Sequence, residues 1–453
     1  MKPVLVKYKV TPSVVEADKE SVITIKSVDG IMRFWDDVTY DVTVIPQDES
    51  DVPLDEEMSL RGYNKNRKQL SVKAQNGELK ISYFFKGEQE WRIHISTTEG
   101  KENLNPLYTP YDVYWHYLQI PEKGIDVRVY SLKEDLYGRR ALRGDLHLHT
   151  VKSDGTESPE LVAACYRKIG RDFIAVTDHN VFHGSAEAEE RLQFLNNFQI
   201  LRGEEVHNGY AGFFHMVNIG GDYSVNEIYL KDPERVKRET EAIAQEIEVP
   251  DGLDQWEYCS RVWLYRTIKK SGGFAIYPHP YWTIGYFHTS TAMSKAILRN
   301  GLCDAFEVIG GCSGKGNNLQ LALYQTLVAE GCRIPVVGST DSHTVLGDEH
   351  LVRSTVVFAE GEDILKAVQD GYSVAVESEK GTYERVYGDR RLVAYTHFLL
   401  ENYYPVHTEL CAVSGTLLQE YVAGKTQLKE MILQAEQLVS EFDEEFFGKG
   451  RNV

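Results

Sequence analysis

No run of about 18 apolar residues occurs anywhere in the chain, which excludes a transmembrane helix. Cysteine is scarce. Cys165, Cys259, Cys303, Cys312, Cys332 and Cys411 are scattered over 453 residues, and none forms a C-x-x-C pair. They read as reduced thiols, not as a disulfide framework. The opening segment MKPVLVKYKVTPSVVEADKE lacks the apolar stretch of a signal peptide, so the expected location is the cytoplasm. Positive charge is in deficit: 49 Lys plus Arg stand against 68 Asp plus Glu, a net charge of −19. That balance repels phosphate backbones and argues against a nucleic-acid-coating protein. No G-x-G-x-x-G follows a strand, which argues against a dinucleotide fold.

The composition is that of a globular protein: 42% apolar and 26% charged residues leave enough apolar mass for a large core. A chain of this length divides into about two or three domains. Residues 1–135 read as short strands separated by turns. Val4 to Val10, Val22 to Ser27, Tyr40 to Ile45, Gln69 to Ala74, Leu79 to Phe85 and Trp91 to Ser96 each alternate, with turn signals at Gly30, Gly77 and Gly87. Such spacing predicts an all-β sandwich-like domain. A β-rich extension of the next domain's sheet is the alternative.

From about Arg143 strands alternate with helices. Strands are predicted at Asp145 to Leu148, Phe173 to Thr177, Gln199 to Leu201, Met216 to Ile219, Phe274 to Tyr277, Ala305 to Ile309 and Ile334 to Gly338. Helices are predicted at Pro159 to Ile169, Ala186 to Asn196, Pro233 to Glu246, Leu253 to Lys270, Leu319 to Glu330 and Asp363 to Gln369. Ser158-Pro159 supplies a cap followed by a proline at the first helical position. The alternation predicts an α/β domain over 140–382 with a parallel sheet, as a barrel or doubly wound. Residues 383–453 show helical periodicity and read as a helical extension.

Histidine is the informative residue. Of 14 in the chain, His147, His149, His179, His215, His279 and His343 fall next to predicted strands of the α/β region. Residues at the C-terminal ends of barrel strands build active sites. In DLHLHT, a spacing of two places His147 and His149 on one face of a strand. Asp154 follows in SDG, Asp178 and His179 end a strand, Glu205 sits in RGEEVH, and Asp341 and His343 close GSTDSH. Imidazoles and carboxylates without cysteine suit zinc, manganese or iron. Nine such groups exceed one tetrahedral site and match two or three divalent ions.

Taken in order, DLHLHT…SDG, TDHN, GEEV with a following His, PHP and GSTDSH resemble the PHP (polymerase and histidinol phosphatase) superfamily over roughly residues 143–380. The resemblance implies a distorted seven-stranded (β/α) barrel holding up to three metal ions. It implies that His147, His149, Glu205 and Asp341 hold the first ion. Glu205 would bridge to a second, with His215 and His279. Asp154, His179 and His343 would hold the third. Glu205 is preferred to Glu204 because the family's Glu stands two after the Gly, here Gly203, and before an aliphatic residue. RGDLHLHT behind a β-domain is similar to the carbaryl hydrolase-like (CehA/McbA-type) branch. Nothing resembles the polymerase domains that accompany some PHP modules.

The activity this implies is that of a metal-dependent hydrolase, with a metal-bridging hydroxide as nucleophile. A phosphoesterase (EC 3.1) acting on a small molecule is the favoured reading. A carbamate or carboxylic ester hydrolase is the alternative. From another class comes a non-catalytic carbohydrate- or protein-binding protein with structural metals. Glu205, His343 and Asp178 are the expected catalytic residues. Asp178 either orients a ligand ring or caps a turn. Candidate substrate contacts are Lys315, Tyr277, Trp282, His183 and His207, with Tyr281, Tyr286 and His288 nearby. The Gly310–Asn318 loop, GGCSGKGNN, either cradles an anion or is a plain loop; Ile309 stands where the Walker motif needs glycine.

Overall fold

The computed structural model describes residues 8–28, 33–36, 38–48, 68–96, 124–207, 214–283, 288–378 and 383–448. The chain divides into two compact units. One comprises Met1–Arg139, His397–Tyr403 and Ser440–Val453; the other comprises Arg140–Thr396 and Tyr404–Val439.

The first unit contains β1 (Tyr8–Thr11), β2 (Val14–Glu16), β3 (Lys19–Ser27), β4 (Thr39–Pro46), β5 (Lys68–Lys73), β6 (Glu78–Phe85), β7 (Gln89–Ser96) and β8 (Ile125–Leu132). They form a three-stranded sheet, β1-β3-β6, and a five-stranded sheet, β2-β8-β7-β4-β5. Both sheets feed one apolar core. Ile23, Ile25, Leu79 and Ile81 come from the first, and Val42, Val44, Trp91, Ile93 and Val129 from the second. Alternation explains the inward set: on β6, ELKISYFF buries Leu79, Ile81 and Phe85. Trp91 is buried whole, its indole N–H donating to Ser131 Oγ at 2.8 Å. The predicted strand from Val4 is seen from Tyr8 on; residues 4–7 and the turn at Gly30 lie outside the described residues.

The second unit is built on β9 (Arg140–Leu148), β10 (Phe173–Val176), β11 (Gln199–His207), β12 (His215–Ile219), β13 (Phe274–Tyr277), β14 (Ala305–Ile309), β15 (Val336–Gly338), β16 (Arg353–Ala359), β17 (Ser373–Glu377) and β18 (Arg385–Tyr387). They make one sheet in the order β15-β14-β13-β12-β11-β10-β9-β16-β17-β18. All seven strands predicted for this region form. The purely parallel sheet does not: β12 runs antiparallel to both β11 and β13, and β16 runs antiparallel to β9 and β17. The link from His207 to His215 is too short for the crossover that a parallel pair needs.

The sheet curls until its ends nearly meet. Thr355 Oγ1 on β16 donates to Gly338 O on β15 at 2.8 Å, and Ser373 Oγ on β17 donates to Val336 O at 2.8 Å. Just past β15, Asp341 N donates to His147 O and His149 N to Ser342 O, both at 2.9 Å. The segment bearing Asp341 is thereby stitched to the end of β9.

The predicted helices appear, among them Pro159–Lys168, with Ser158 accepting from Leu161 N and Pro159 in the first turn. Among the described residues three α-helices escaped the sequence reading, Glu134–Tyr137, Val225–Lys231 and Thr291–Arg299. The tail holds the strand β18, then helices Arg390–Asn402, Tyr404–Val422 and Lys429–Phe447. Within the second unit, Arg167 is fully buried and grips Glu436 with two N–H groups at 2.9 and 2.6 Å. Beside it, His407 Nε2 lies 3.1 Å from Asp172. Among the described residues no helix is long and apolar enough to cross a membrane.

Candidate metal centre

The cluster forms where β9, β10, β11, β12, β13 and β15 end or begin. Residue alternation decides which side chains meet. On β11, Glu204 turns away and is consumed by Asn218 Nδ2 (2.9 Å), Ser224 Oγ (2.6 Å) and Val225 N (2.6 Å). Glu205 faces the histidines. Its Oε2 lies 3.2 Å from His147 Nε2, 3.2 Å from His149 Nε2 and 3.4 Å from His179 Nε2. Its Oε1 lies 2.7 Å from His215 Nδ1 and 3.0 Å from His279 Nε2. Five imidazoles from four segments thus surround one carboxylate.

Asp341 adds a second carboxylate, with Oδ1 3.0 Å from His149 Nε2 and 3.3 Å from His147 Nε2. It holds φ of +53°, a region that a non-glycine residue occupies at a cost of about 1 kcal/mol or more. Asp154, on the exposed SDG turn, lies 3.4 Å from His343, 3.6 Å from His149 Nδ1 and 3.9 Å from His179. Three overlapping groups result, each with its ligand atoms within 4.8 Å of one another: His147, His149, Glu205, Asp341; His149, Asp154, His179, His343; and His179, Glu205, His215. His149 belongs to two of them because its two nitrogens face different carboxylates.

Charge and burial oppose each other here. Burial pushes the His147 imidazole down, yet Glu205, Asp341 and Glu307 together hold it well above its usual value. Burial is likewise outweighed at His149, raised to about 9 by Asp341 and Glu205. His179 goes the other way, to about 4: burial and the neighbouring His149 and His215 outweigh Glu205. Burial raises the Glu205 carboxylate, but His215 and His147 pull it well below its usual range.

The donor set fits divalent ions. Nine imidazoles and carboxylates converge without a sulfur ligand. Among the described residues, His147 Nε2 and His215 Nδ1 are buried without a hydrogen-bond partner although each lies against Glu205. Their approach suits a shared cation better than a shared proton.

A cavity of about 570 Å³ opens over the cluster. Beyond the candidate ligands, Ser153, Asn180, His207 and Trp282 line it. The Trp282 ring centroid lies 5.5 Å from that of His215 and 5.9 Å from that of His279. Among the described lining residues there is no lysine or arginine.

Several predicted contacts fall elsewhere. Tyr277 is 1% exposed, bonds Ser294 Oγ at 2.9 Å and stacks on Phe214 and Phe306. It is core, because β13 is buried on both faces. Lys315 is exposed in the first turn of helix Gly314–Ala329, outside the lining. His183 is exposed beside Arg202, at 3.4 Å, and also outside it. Tyr281 bonds Thr291, His288 bonds Thr289 O, and neither lines the cavity; Tyr286 lies outside the described residues. Among the described residues Asp178 is hydrogen-bonded to no imidazole. It accepts from Thr150 N (2.8 Å), Thr150 Oγ1 (2.7 Å) and Ser153 Oγ (2.6 Å), tying down the loop that follows His149.

Two buried carboxylates went unread in the sequence. Glu307 on β14 lies 3.0 Å from His147 Nδ1. Asp145 on β9 accepts from Tyr166 OH and from Thr340 N, bracing the segment before Asp341; burial pushes it up to about 6. The available signal was a lone acidic residue inside an apolar strand, as in AFEVI.

No protein-family model matches the chain. The DNA polymerase/3'-5' exonuclease PolX of Bacillus subtilis (strain 168) is 32% identical over 147 residues, 29% of this chain and 22% of that protein. An uncharacterized protein of Methanocaldococcus jannaschii is 25% identical over 151 residues, 31% of this chain and 68% of that protein. Among solved structures, a two-domain protein of Bacteroides vulgatus is described as containing a predicted PHP-like metal-dependent phosphoesterase. It aligns with a TM-score of 0.36 and 21% identity, over 52% of this chain and 65% of that one. The chain therefore spans only about a fifth of the length of PolX. With its ordered set of histidine and carboxylate motifs, the chain resembles the PHP superfamily.

Proposed function

We propose that this protein is a metal-dependent hydrolase and that its favoured reaction is phosphoester hydrolysis on a small molecule, the EC 3.1 class. The observation that carries the reading is the position of Glu205, one carboxylate within 3.4 Å of five imidazoles, with Asp341 beside it. His147, His149, Glu205 and Asp341 would hold one ion, Glu205 would extend to a second with His215 and His279, and Asp154, His179 and His343 would hold a third. Zinc, manganese and iron suit these donors. Bound there, such ions supply a nucleophile from water near neutral pH and polarise the substrate.

The chain's own residues do the rest. Three ligand carboxylates, Asp154, Glu205 and Asp341, offset part of the cation charge. Asp178 fixes Thr150 and Ser153, and with them the course of the loop from His149 to Asp154. Trp282 offers a flat apolar wall beside His215 and His279. His207 borders the same cavity. The partial likeness to a protein named as a 3'-5' exonuclease, a phosphodiester-cleaving activity, supports phosphoester chemistry.

A second reading, hydrolysis of a carbamate or carboxylic ester, draws on Trp282 and on the lack of lysine or arginine in the described lining. It agrees with the similarity to the carbaryl hydrolase-like branch. The seven-stranded barrel reading counts β9 to β15. We take residues 1–135 as a separate sandwich-like module, and the chain as cytoplasmic without a nucleic-acid or membrane partner.

The test is initial rates on a chromogenic phosphomonoester, phosphodiester, carboxylic ester and aryl N-methylcarbamate, with manganese or zinc, against the His343→Ala variant. Phosphoester turnover lost in the variant supports the favoured reaction. Carbamate or ester turnover alone moves the enzyme to the second reading. No turnover by metal-loaded protein on any of the four contradicts both.

A further inference from the structure

Glu307 stands on β14, in the apolar run AFEVI, and is fully buried. A buried carboxylate in such a strand is costly unless it is paired. Its partner is His147: Oε2 lies 3.0 Å from Nδ1. The other oxygen, Oε1, has no hydrogen-bond partner among the described residues. An isolated structural carboxylate is normally satisfied on both oxygens, as Glu204 is by Asn218, Ser224 and Val225. Glu307 is instead committed to one histidine.

The neighbouring backbone is shaped around it. A Cβ at Gly310 would stand 1.5 Å from Glu307 Oε1, and a Cβ at Gly311 would stand 2.1 Å from Asp341 Oδ2. The glycine pair opening GGCSGKGNN therefore makes room for two carboxylates. None of the residues Gly310 to Asn318 is among the described lining of the cavity. Asn317 fixes the pair, accepting from Gly310 N at 2.9 Å.

Both ring nitrogens of His147 face carboxylates, which can only accept; with an ion held between Nε2 and the Glu205 and Asp341 carboxylates, the one proton of the neutral ring is left on Nδ1, toward Glu307. The lone pair then sits on Nε2, which points at Glu205 and Asp341 at 3.2 and 3.3 Å. We propose that Glu307 is the positioning residue of the centre: it sets the tautomer and ring orientation of His147 so that Nε2 is presented to a divalent ion. This rests on the metal-centre reading of the cluster. It adds a tenth side chain, one that touches neither ion nor substrate. Outer carboxylates of this kind typically contribute 10- to 100-fold in metal affinity.

The test is metal binding by the full-length chain, read by equilibrium dialysis against manganese with elemental analysis, for wild type, Glu307→Gln, Glu307→Ala, His147→Ala and the double variant Glu307→Ala/His147→Ala. The expected result is a roughly 10- to 100-fold weaker tightest site in Glu307→Ala, with Glu307→Gln between it and wild type because glutamine still accepts from Nδ1. The double variant should bind no worse than His147→Ala alone, since Glu307 acts through that ring. A purely structural Glu307 would instead give additive losses, and that result overturns the proposal. So does a Glu307→Ala protein with wild-type affinity. Wild-type chain that takes up no manganese or zinc at all would overturn the metal-centre reading itself, a different failure.

Discussion

Glu205 Oε2 lies 3.2 Å from His149 Nε2, although their strands β11 and β9 are separated in the sheet by β10. The two meet because both side chains project at the same end of the parallel run β9-β10-β11. The contact cannot be removed from either side without opening the cluster. Glu205→Gln keeps the shape but removes one of the three ligand carboxylates. It is expected to lower kcat/KM by more than the ~10- to 100-fold typical of an outer-shell loss, with a matching loss of bound metal on elemental analysis. Unchanged turnover and metal content would remove Glu205 from the centre.

Metal should also stabilise the fold, because the cluster joins β9, β11, β12 and β13. An ion present at 100 times its dissociation constant adds about 2.7 kcal/mol. Thermal melting with and without a chelator measures this. Chelation should lower Tm, and manganese or zinc should restore it. A Tm indifferent to both would separate the cluster from any resident ion.

The buried pair Arg167–Glu436 makes a different kind of prediction. Its two hydrogen bonds, at 2.9 and 2.6 Å, lie with no solvent access to the arginine. Arg167→Met would leave Glu436 buried and uncompensated, a loss of about 3–5 kcal/mol. Urea unfolding of the two proteins reads it directly. A difference under about 1 kcal/mol would mean that Glu436 finds water or another donor.

His407 and Asp172 predict how stability varies with pH. Burial pushes His407 down, but Asp172 holds it well above 6.5; burial raises Asp172, but His407 and Arg167 hold it below 3.8. The histidine's contribution is full below 6.5 and is lost as pH rises through its higher folded value. The aspartate's contribution is full above 3.8 and is lost as pH falls through its lower folded value. The gap in unfolding free energy between wild type and His407→Gln should therefore be widest between 3.8 and 6.5 and narrow at higher pH. A gap that widens from pH 6 to 9 has the wrong sign.

Trp282 tests the shape of the cavity. Trp282→Ala should raise KM for aryl substrates by roughly 2- to 10-fold, the worth of an aromatic contact, and spare those with small alkyl groups. Equal effects on both kinds would place Trp282 in packing alone.

Much of the centre was legible in the sequence because its residues lie in short motifs at strand ends. His147 and His149 declare a shared face by their spacing, and TDHN and GSTDSH mark the turns that follow β10 and β15. What was illegible depends on partners distant in sequence. Glu307 acquires its role only from His147, 160 positions away; AFEVI shows a lone acid in an apolar strand but not its partner. Tyr277 was misread for the related reason that adjacency to His279 does not reveal that β13 is buried on both faces. The antiparallel course of β12 was hidden because HMVNI reads the same in either direction. The strands β16 to β18 lie beyond the last motif, and the pairing of β16 with β9 is a property of the closed sheet.

The most direct measurement is elemental analysis of the purified full-length chain after incubation with manganese or zinc and removal of excess, alongside His149→Ala. His149 faces two of the three groups. The account predicts at least two divalent ions per wild-type chain and fewer in the variant, with hydrolysis falling in step. A wild-type chain that retains less than one ion, or a variant that retains as many as wild type, would contradict it.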